Sequence, residues 1–163
     1  MKKIAFLLVC LVAGITTSFA QQAGDSSVGL NLNYASETSF GMGARYQYNI
    51  TNNIRIEPEF NYHFKHNFMS FWDLSANVSY LFPVAKDVTV YPLVGIGYMH
   101  GTAHLDDIED SLPNETKGSF QAKIGAGVEF QLLPNTKLIL EPKYQLNDFK
   151  DQFIITAGIA YCF

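Results

Sequence analysis

Eight segments of the chain alternate apolar and polar residues with a period of two, the pattern of β-strands that present one apolar and one polar face. "IRIEPEFNYHFK" (Ile54–Lys65) sets Ile54, Ile56, Pro58, Phe60, Tyr62 and Phe64 against Arg55, Glu57, Glu59, Asn61, His63 and Lys65. The same even-numbered apolar register recurs in "SVGLNLNYA" (27–35), "FGMGARYQYNI" (40–50), "WDLSANVSYLF" (72–82), "VTVYPLVGIGYM" (88–99), "FQAKIGAGVEFQL" (120–132) and "LILEPKYQL" (138–146). "FIITAGIAYCF" (153–163) carries its consistent apolar face on the odd positions instead. The fifth segment is apolar on both faces.

The connections alternate in length. "TNN" (Thr51–Asn53), "PVAKD" (Pro83–Asp87) and "LPNT" (Leu133–Thr136) are short and rich in turn formers. Between them lie longer connections, the longest from His100 to Gly118. Short turns at one end and longer loops at the other predict an all-β, eight-stranded antiparallel up-and-down barrel. Pro58, Pro92 and Pro142 recur at matching height above the short turns and predict a repeated local device at that rim.

The direction of the apolar face follows from its composition. It carries almost no polar side chain, and its aromatics gather near strand ends. Tyr34, Phe40, Tyr62, Phe64, Trp72, Tyr98, Phe120, Tyr144 and Phe153 cluster at the long-loop end; Tyr48, Tyr80, Phe82, Phe130, Tyr161 and Phe163 cluster at the short-turn end. Two aromatic belts are expected where a barrel crosses two membrane–water interfaces. The segments have about the 9–11 residues that a tilted membrane strand needs.

The first twenty residues are read as a secretory signal peptide and set apart from a barrel domain over 21–163. Lys2 and Lys3 precede a short apolar run, and Ser18 and Ala20 stand at the −3 and −1 positions of a cleavage site. Cleavage leaves Cys162 as the mature chain's one cysteine, so no intrachain disulfide forms. It also leaves nine basic against fifteen acidic residues, a balance that argues against nucleic acid as a partner.

Ile159, Tyr161 and the terminal Phe163 resemble the C-terminal sorting signal of bacterial outer-membrane barrel proteins. With the signal peptide and the dyad repeats, essentially all of the mature chain resembles the small eight-stranded outer-membrane barrel superfamily that includes the OmpA transmembrane domain and OmpX. "YPLVGIGY" (91–98) is similar to a proline, aromatic and glycine-rich strand common there. The resemblance implies a transmembrane barrel in the bacterial outer membrane. It brings no catalytic motif and no cofactor. The partners expected are outer-membrane lipid and lipopolysaccharide, the barrel assembly machinery during biogenesis, and a surface ligand of unspecified kind; the oligomeric state expected is a monomer.

With the apolar face toward lipid, Arg45, Arg55, Lys65, Lys123 and Lys143 point inward with Glu57, Glu59, Asp73, Glu129 and Glu141. Eight strands enclose a space that side chains just fill. Five cations beside five anions predict ion-pair networks bridging the strands, because isolated buried charge is costly. A selective channel would favour one sign. The expectation is a plugged, polar-packed lumen in a non-enzymatic protein that acts through its outer loops. A narrow porin for small solutes is the alternative.

Three further candidates are set beside this reading. Asp106, Asp107, Glu109 and Asp110 make the longest loop acidic, a candidate contact for a cation or partner, without the spacing of an EF-hand. His100 and His104 stand four apart, a metal-ligand spacing that requires a helix which nothing else supports. His63, His66, Ser70 and Asp73 gather near one strand end as the candidate site of a surface lipid-modifying enzyme. By parity His63 and Asp73 point inward while Ser70 lies in a loop, and the His-x-Ser pair of the lipid A deacylases is absent.

Overall fold

The computed structural model describes residues 22–36, 39–66, 69–103, 116–148 and 151–163. Within them lie β1 (Ser26–Ala35), β2 (Ser39–Asn49), β3 (Ile54–His66), β4 (Met69–Tyr80), β5 (Phe82–Ala85), β6 (Val88–Ala103), β7 (Thr116–Leu133), β8 (Thr136–Asn147) and β9 (Gln152–Cys162). Every neighbouring pair is antiparallel, β1 pairs with β9, and β4 pairs with β6, so the sheet closes on itself. Closure leaves no edge along the wall, which is the condition for strands to stand in hydrocarbon.

The short β5 continues β4 against the same partner. Ser79↔Leu93 and Phe82↔Val90 belong to one register, so the nine strands form an eight-stave barrel. The break in the β6 ladder begins at Tyr80, opposite Pro92, which has no N–H to give, while on the other side the Leu81 N–H continues the β3 ladder to the Asn53 carbonyl at 2.7 Å. Pro58 and Pro142 act alike. The β2–β3 register stops at Arg45↔Glu59 and resumes at Tyr48↔Ile56; the β7–β8 register stops at Gly125↔Lys143 and resumes at Val128↔Leu140. Each proline faces outward and opens a two-pair gap in one ladder.

Two connections differ most from the sequence reading. Pairing continues through Pro83↔Thr89 to Ala85↔Val88, leaving Lys86 and Asp87 as the turn. Pro83 is tolerated there because β5 pairs on one side alone, so its missing donor faces no partner. At the opposite end β6 and β7 stay paired as far as Thr102↔Thr116. The loop read from His100 to Gly118 therefore begins and ends inside strands. Its glycines belong to the wall: a Cβ on Gly118 would collide with the Tyr98 hydroxyl, and one on Gly101 would press on the Phe71 ring at 2.7 Å. Residues 1–20, Asp106, Asp107, Glu109, Asp110 and His104 lie outside the described residues.

The barrel is apolar outside and polar inside. Ile96 is 72% exposed and Phe120 80%, whereas Arg45 is 2% and Glu59 1% exposed. In a water-soluble fold this distribution would be inverted. Aromatic pairs cross the strands at the long-loop end, with Tyr34↔Phe40, Tyr62↔Trp72, Tyr98↔Phe120 and Tyr144↔Phe153 in direct register. At the short-turn end Tyr80 packs on Phe82 with ring centroids 4.8 Å apart. The interior is not uniformly polar. Leu81, Tyr91 and Leu93 form a buried apolar cluster, Ile139 and Ala160 lie buried on β8 and β9, and Met99, Ile154 and Ala35 lie buried toward the long loops.

Candidate functional site

Among the described residues the lumen is where the fold concentrates charged side chains, and strand alternation aims them there. Two of its cations sit near the short turns. Arg55, second residue of β3, forms a two-pronged contact with Glu129 on β7, with Nη2 to Oε2 at 3.0 Å and Nη1 to Oε1. Its Nε donates to Asn49 Oδ1 at 3.0 Å, and its guanidinium lies over the Tyr91 ring, 5.6 Å from the centroid. Lys137, second residue of β8, joins the same carboxylate at 3.3 Å.

A second cluster fills the middle. Arg45 on β2 contacts Glu57 at 3.3 Å, Glu59 at 3.3 Å and Glu141 at 2.8 Å. Lys143 on β8 contacts Glu59 at 3.2 Å and Glu141 at 3.1 Å. The staves β3 and β8 are four apart in either direction round the eight, so Lys143 and Glu59 reach each other from opposite walls. Neutral groups add to the carboxylates' hydrogen bonding: Gln47 Nε2 donates to Glu57 at 2.6 Å, Asn77 Nδ2 to Glu57 and Glu59 at 3.2 Å each, and the Tyr91 hydroxyl to Glu141 at 2.6 Å. Such donors matter because a dry ion pair offsets its desolvation only when its remaining lone pairs are also met.

Nearer the long loops, Asp73 on β4 accepts from Lys123 Nζ at 2.8 Å, Gln121 Nε2 at 3.1 Å and Asn61 Nδ2 at 3.3 Å, with His63 Nε2 also 3.1 Å away. Amides link this cluster to the middle one. Asn31 donates to Asn61 at 2.8 Å and to Glu59 at 3.3 Å, Asn33 donates to Asn61 at 2.6 Å, and Thr156 donates to Asn33 at 2.7 Å.

Small residues make room for this packing. Tyr91 stands directly opposite Gly127, and its ring passes over that residue to reach Glu141 on the next stave. A Cβ at Gly127 would occupy the ring's place. Gly127→Leu is expected to displace Tyr91 and lower stability by about 1–3 kcal/mol. A urea titration read by the mobility difference of folded and boiled protein on gels measures this. Adding Tyr91→Ala to Gly127→Leu should cost less than the two single changes combined.

Nine of the ten charged positions read as inward are thus placed in the lumen. For the tenth, Lys65, the side chain lies outside the described residues. The sequence reading omits Lys137, because the apolar run of the seventh segment starts at Leu138 whereas β8 starts two residues earlier at Thr136, and it omits the neutral partners Gln47, Asn77 and Tyr91. Their inward parity was available as a signal; their bonding was not.

The enzyme candidates are not brought together. His63 and Asp73 are hydrogen-bonded and 1% and 0% exposed in the lumen, while Ser70 shares the outward parity of Trp72 and Leu74, so the sheet wall stands between them. The His66 side chain is outside the described residues. His100 faces outward and stacks on Trp72, with centroids 5.3 Å apart. Ile159, Tyr161 and Phe163 lie exposed along the outer face at the end of the chain.

The family model for the outer membrane protein beta-barrel domain matches residues 6–163. The chain belongs to that family. Membership implies the bacterial outer membrane, in agreement with the inside-out distribution of side chains. Similar solved structures extend the likeness of fold. The N-terminal β-barrel domain of Pseudomonas aeruginosa OprF superposes with a TM-score of 0.67 at 17% identity, covering 88% of this chain and 100% of that one. Neisserial surface protein A gives 0.67 at 14% identity over 86% and 97%. Ail, the attachment invasion locus protein of Yersinia pestis, gives 0.58 at 19% identity over 87% and 100%. Among curated proteins none matches the chain. The family carries the membrane setting, and the solved structures carry the fold.

Proposed function

We propose that this family member is a non-enzymatic, sealed barrel that anchors surface loops in the outer membrane, delivered there as a precursor whose residues 1–20 are removed. The observation that carries the reading is the contact of Lys143 with Glu59 from opposite walls, joined by Arg45 to Glu141, which fills the lumen at mid-height with paired charge. Five cations (Arg45, Arg55, Lys123, Lys137, Lys143) meet five anions (Glu57, Glu59, Asp73, Glu129, Glu141) among the described residues, and no single sign is left to select an ion. The part free to act on other molecules is then the long-loop end and the outer face. The partners that fit are outer-leaflet lipid, lipopolysaccharide and a surface ligand met by the loops, with Ile159, Tyr161 and Phe163 read by the assembly machinery. Ail, named for attachment, has a similar fold and supports a surface role.

Liposome swelling tests the sealed lumen. Vesicles carrying the folded protein should swell no faster than protein-free vesicles in small sugars or glycine. Swelling that rises with the amount of protein would show a solute path and favour the narrow porin.

A further inference from the structure

The outer face carries a groove that the sealed-lumen reading does not use. It is an open concavity of about 580 Å³ lined by outward side chains of β8, β9, β1, β2 and β3, with the inward-facing Asn31, Gly43 and Gly158 beneath them. Its floor exists because two lipid-facing positions are small: Ala44 on β2 and Ala157 on β9, set among Leu30, Leu32, Phe60 and Ile159. Two rows of direct partners define its course. One runs Leu138↔Ile159↔Leu30↔Ala44↔Phe60, the other Ala157↔Leu32↔Met42↔Tyr62↔Trp72↔His100.

Leu138 is the third residue of β8 after a short turn, whereas Tyr62 and Trp72 lie near the long-loop ends of β3 and β4. The groove therefore climbs obliquely across the band between the two aromatic belts. Its upper end meets the Phe60–Trp72 stack (6.3 Å) and, beyond it, His100 on Trp72. No side chain on its outward wall offers a charge or an amide, so nothing fixes the register of a protein partner. A long flexible methylene chain needs only apolar contact along such a path. The surface is continuous with the lipid-facing band of the barrel, and its amphipathic upper end sits where a headgroup begins.

We propose that this groove seats one acyl chain of a lipid from the leaflet on the long-loop side, its headgroup beside Trp72 and His100. Trp72 is the chain's one tryptophan, which allows a local reporter. It stands at the groove's upper end, so the wild-type barrel carries the fluorophore there. In detergent micelles titrated with phosphatidylcholine brominated near the carboxyl end of its chain, its emission should be quenched in a saturable phase that ends at one lipid per barrel. Adding Ala44→Leu and Ala157→Leu should fill the groove and abolish that phase, while Ala126→Leu on β7 should leave it unchanged. All variants are first shown to retain the folded gel mobility. Quenching that only tracks the lipid-to-detergent ratio overturns the proposal, as does a saturable phase that survives filling. A particle mass of two barrels that falls to one on filling would identify a second copy as the occupant and overturns it equally.

Discussion

Arg45→Ala is expected to lower the stability of the folded barrel by about 3–5 kcal/mol, the cost of leaving buried charge without its counter-ion. Arg45 is the hub of the middle cluster, touching Glu57 and Glu59 on one wall and Glu141 on another. Its removal leaves three carboxylates facing Lys143 alone, in a space closed to water above by the Asp73 cluster and below by the Arg55–Glu129 contact. Arg45→Lys should recover part of the loss, since one ammonium replaces the charge without spanning all three acceptors. Combining Arg45→Ala with Glu141→Gln should cost clearly less than the sum of the single changes, because the second change removes a charge that the first left unpaired. Urea titrations in vesicles give all four values. Additive losses would mean that the two residues are not coupled across the lumen.

Ile96→Arg should destabilise by about 2–4 kcal/mol, the cost measured for arginine on the lipid face of a membrane barrel near the midplane. Ile96 is mid-strand on β6, between Ala76 and Ala122, and is among the most exposed side chains of the protein. On the surface of a water-soluble fold, replacing so exposed a residue changes stability by less than about 0.5 kcal/mol. Thr136→Arg, at the first residue of β8, provides the comparison, with about 0–1 kcal/mol expected near the interface. Equal, small costs at both positions would put the outer face in water.

The direction of each side chain was legible in the sequence because strand alternation is a local property. Arg45, Arg55, Glu57, Glu59, Asp73, Lys123, Glu129, Glu141 and Lys143 were all aimed inward by parity alone. Their partners were not legible. Lys143 and Glu59 are 84 positions apart in the chain, and their contact exists only once closure sets β8 opposite β3. Lys137 escapes the sequence reading at a boundary, since the ladder runs two residues nearer the turn, to Thr136, than the apolar run from Leu138 suggests. The overhang of β6 and β7 was hidden for a related reason. His100, Gly101 and Gly118 read as loop, yet the two glycines give up their side-chain volume to Phe71 and Tyr98 in the wall. The lipid-facing groove was also beyond the sequence, because Ala44 and Ala157 become neighbours of one concavity only across the β9–β1–β2 seam.

The prolines show how a pattern can be legible while its mechanism is not. Their matching height was visible in the chain. That each opens a gap in the ladder on one side of its strand, with Gln47 and Glu57, Leu81 and Tyr91, or Gly127 and Glu141 inside the gap, needed the register. Three of these inward residues, Glu57, Tyr91 and Glu141, belong to the middle charge cluster. The device at the rim and the packing of the lumen thus meet at the same residues.

Single-channel recording of the wild-type protein in planar bilayers tests the sealed lumen most directly. The cross-lumen contacts of Lys143 with Glu59 and of Arg45 with Glu141 predict a flat trace, with no stable openings above that of a protein-free bilayer at any holding potential the bilayer withstands. Reproducible openings of constant size, carried by correctly folded wild-type barrels, would contradict the account.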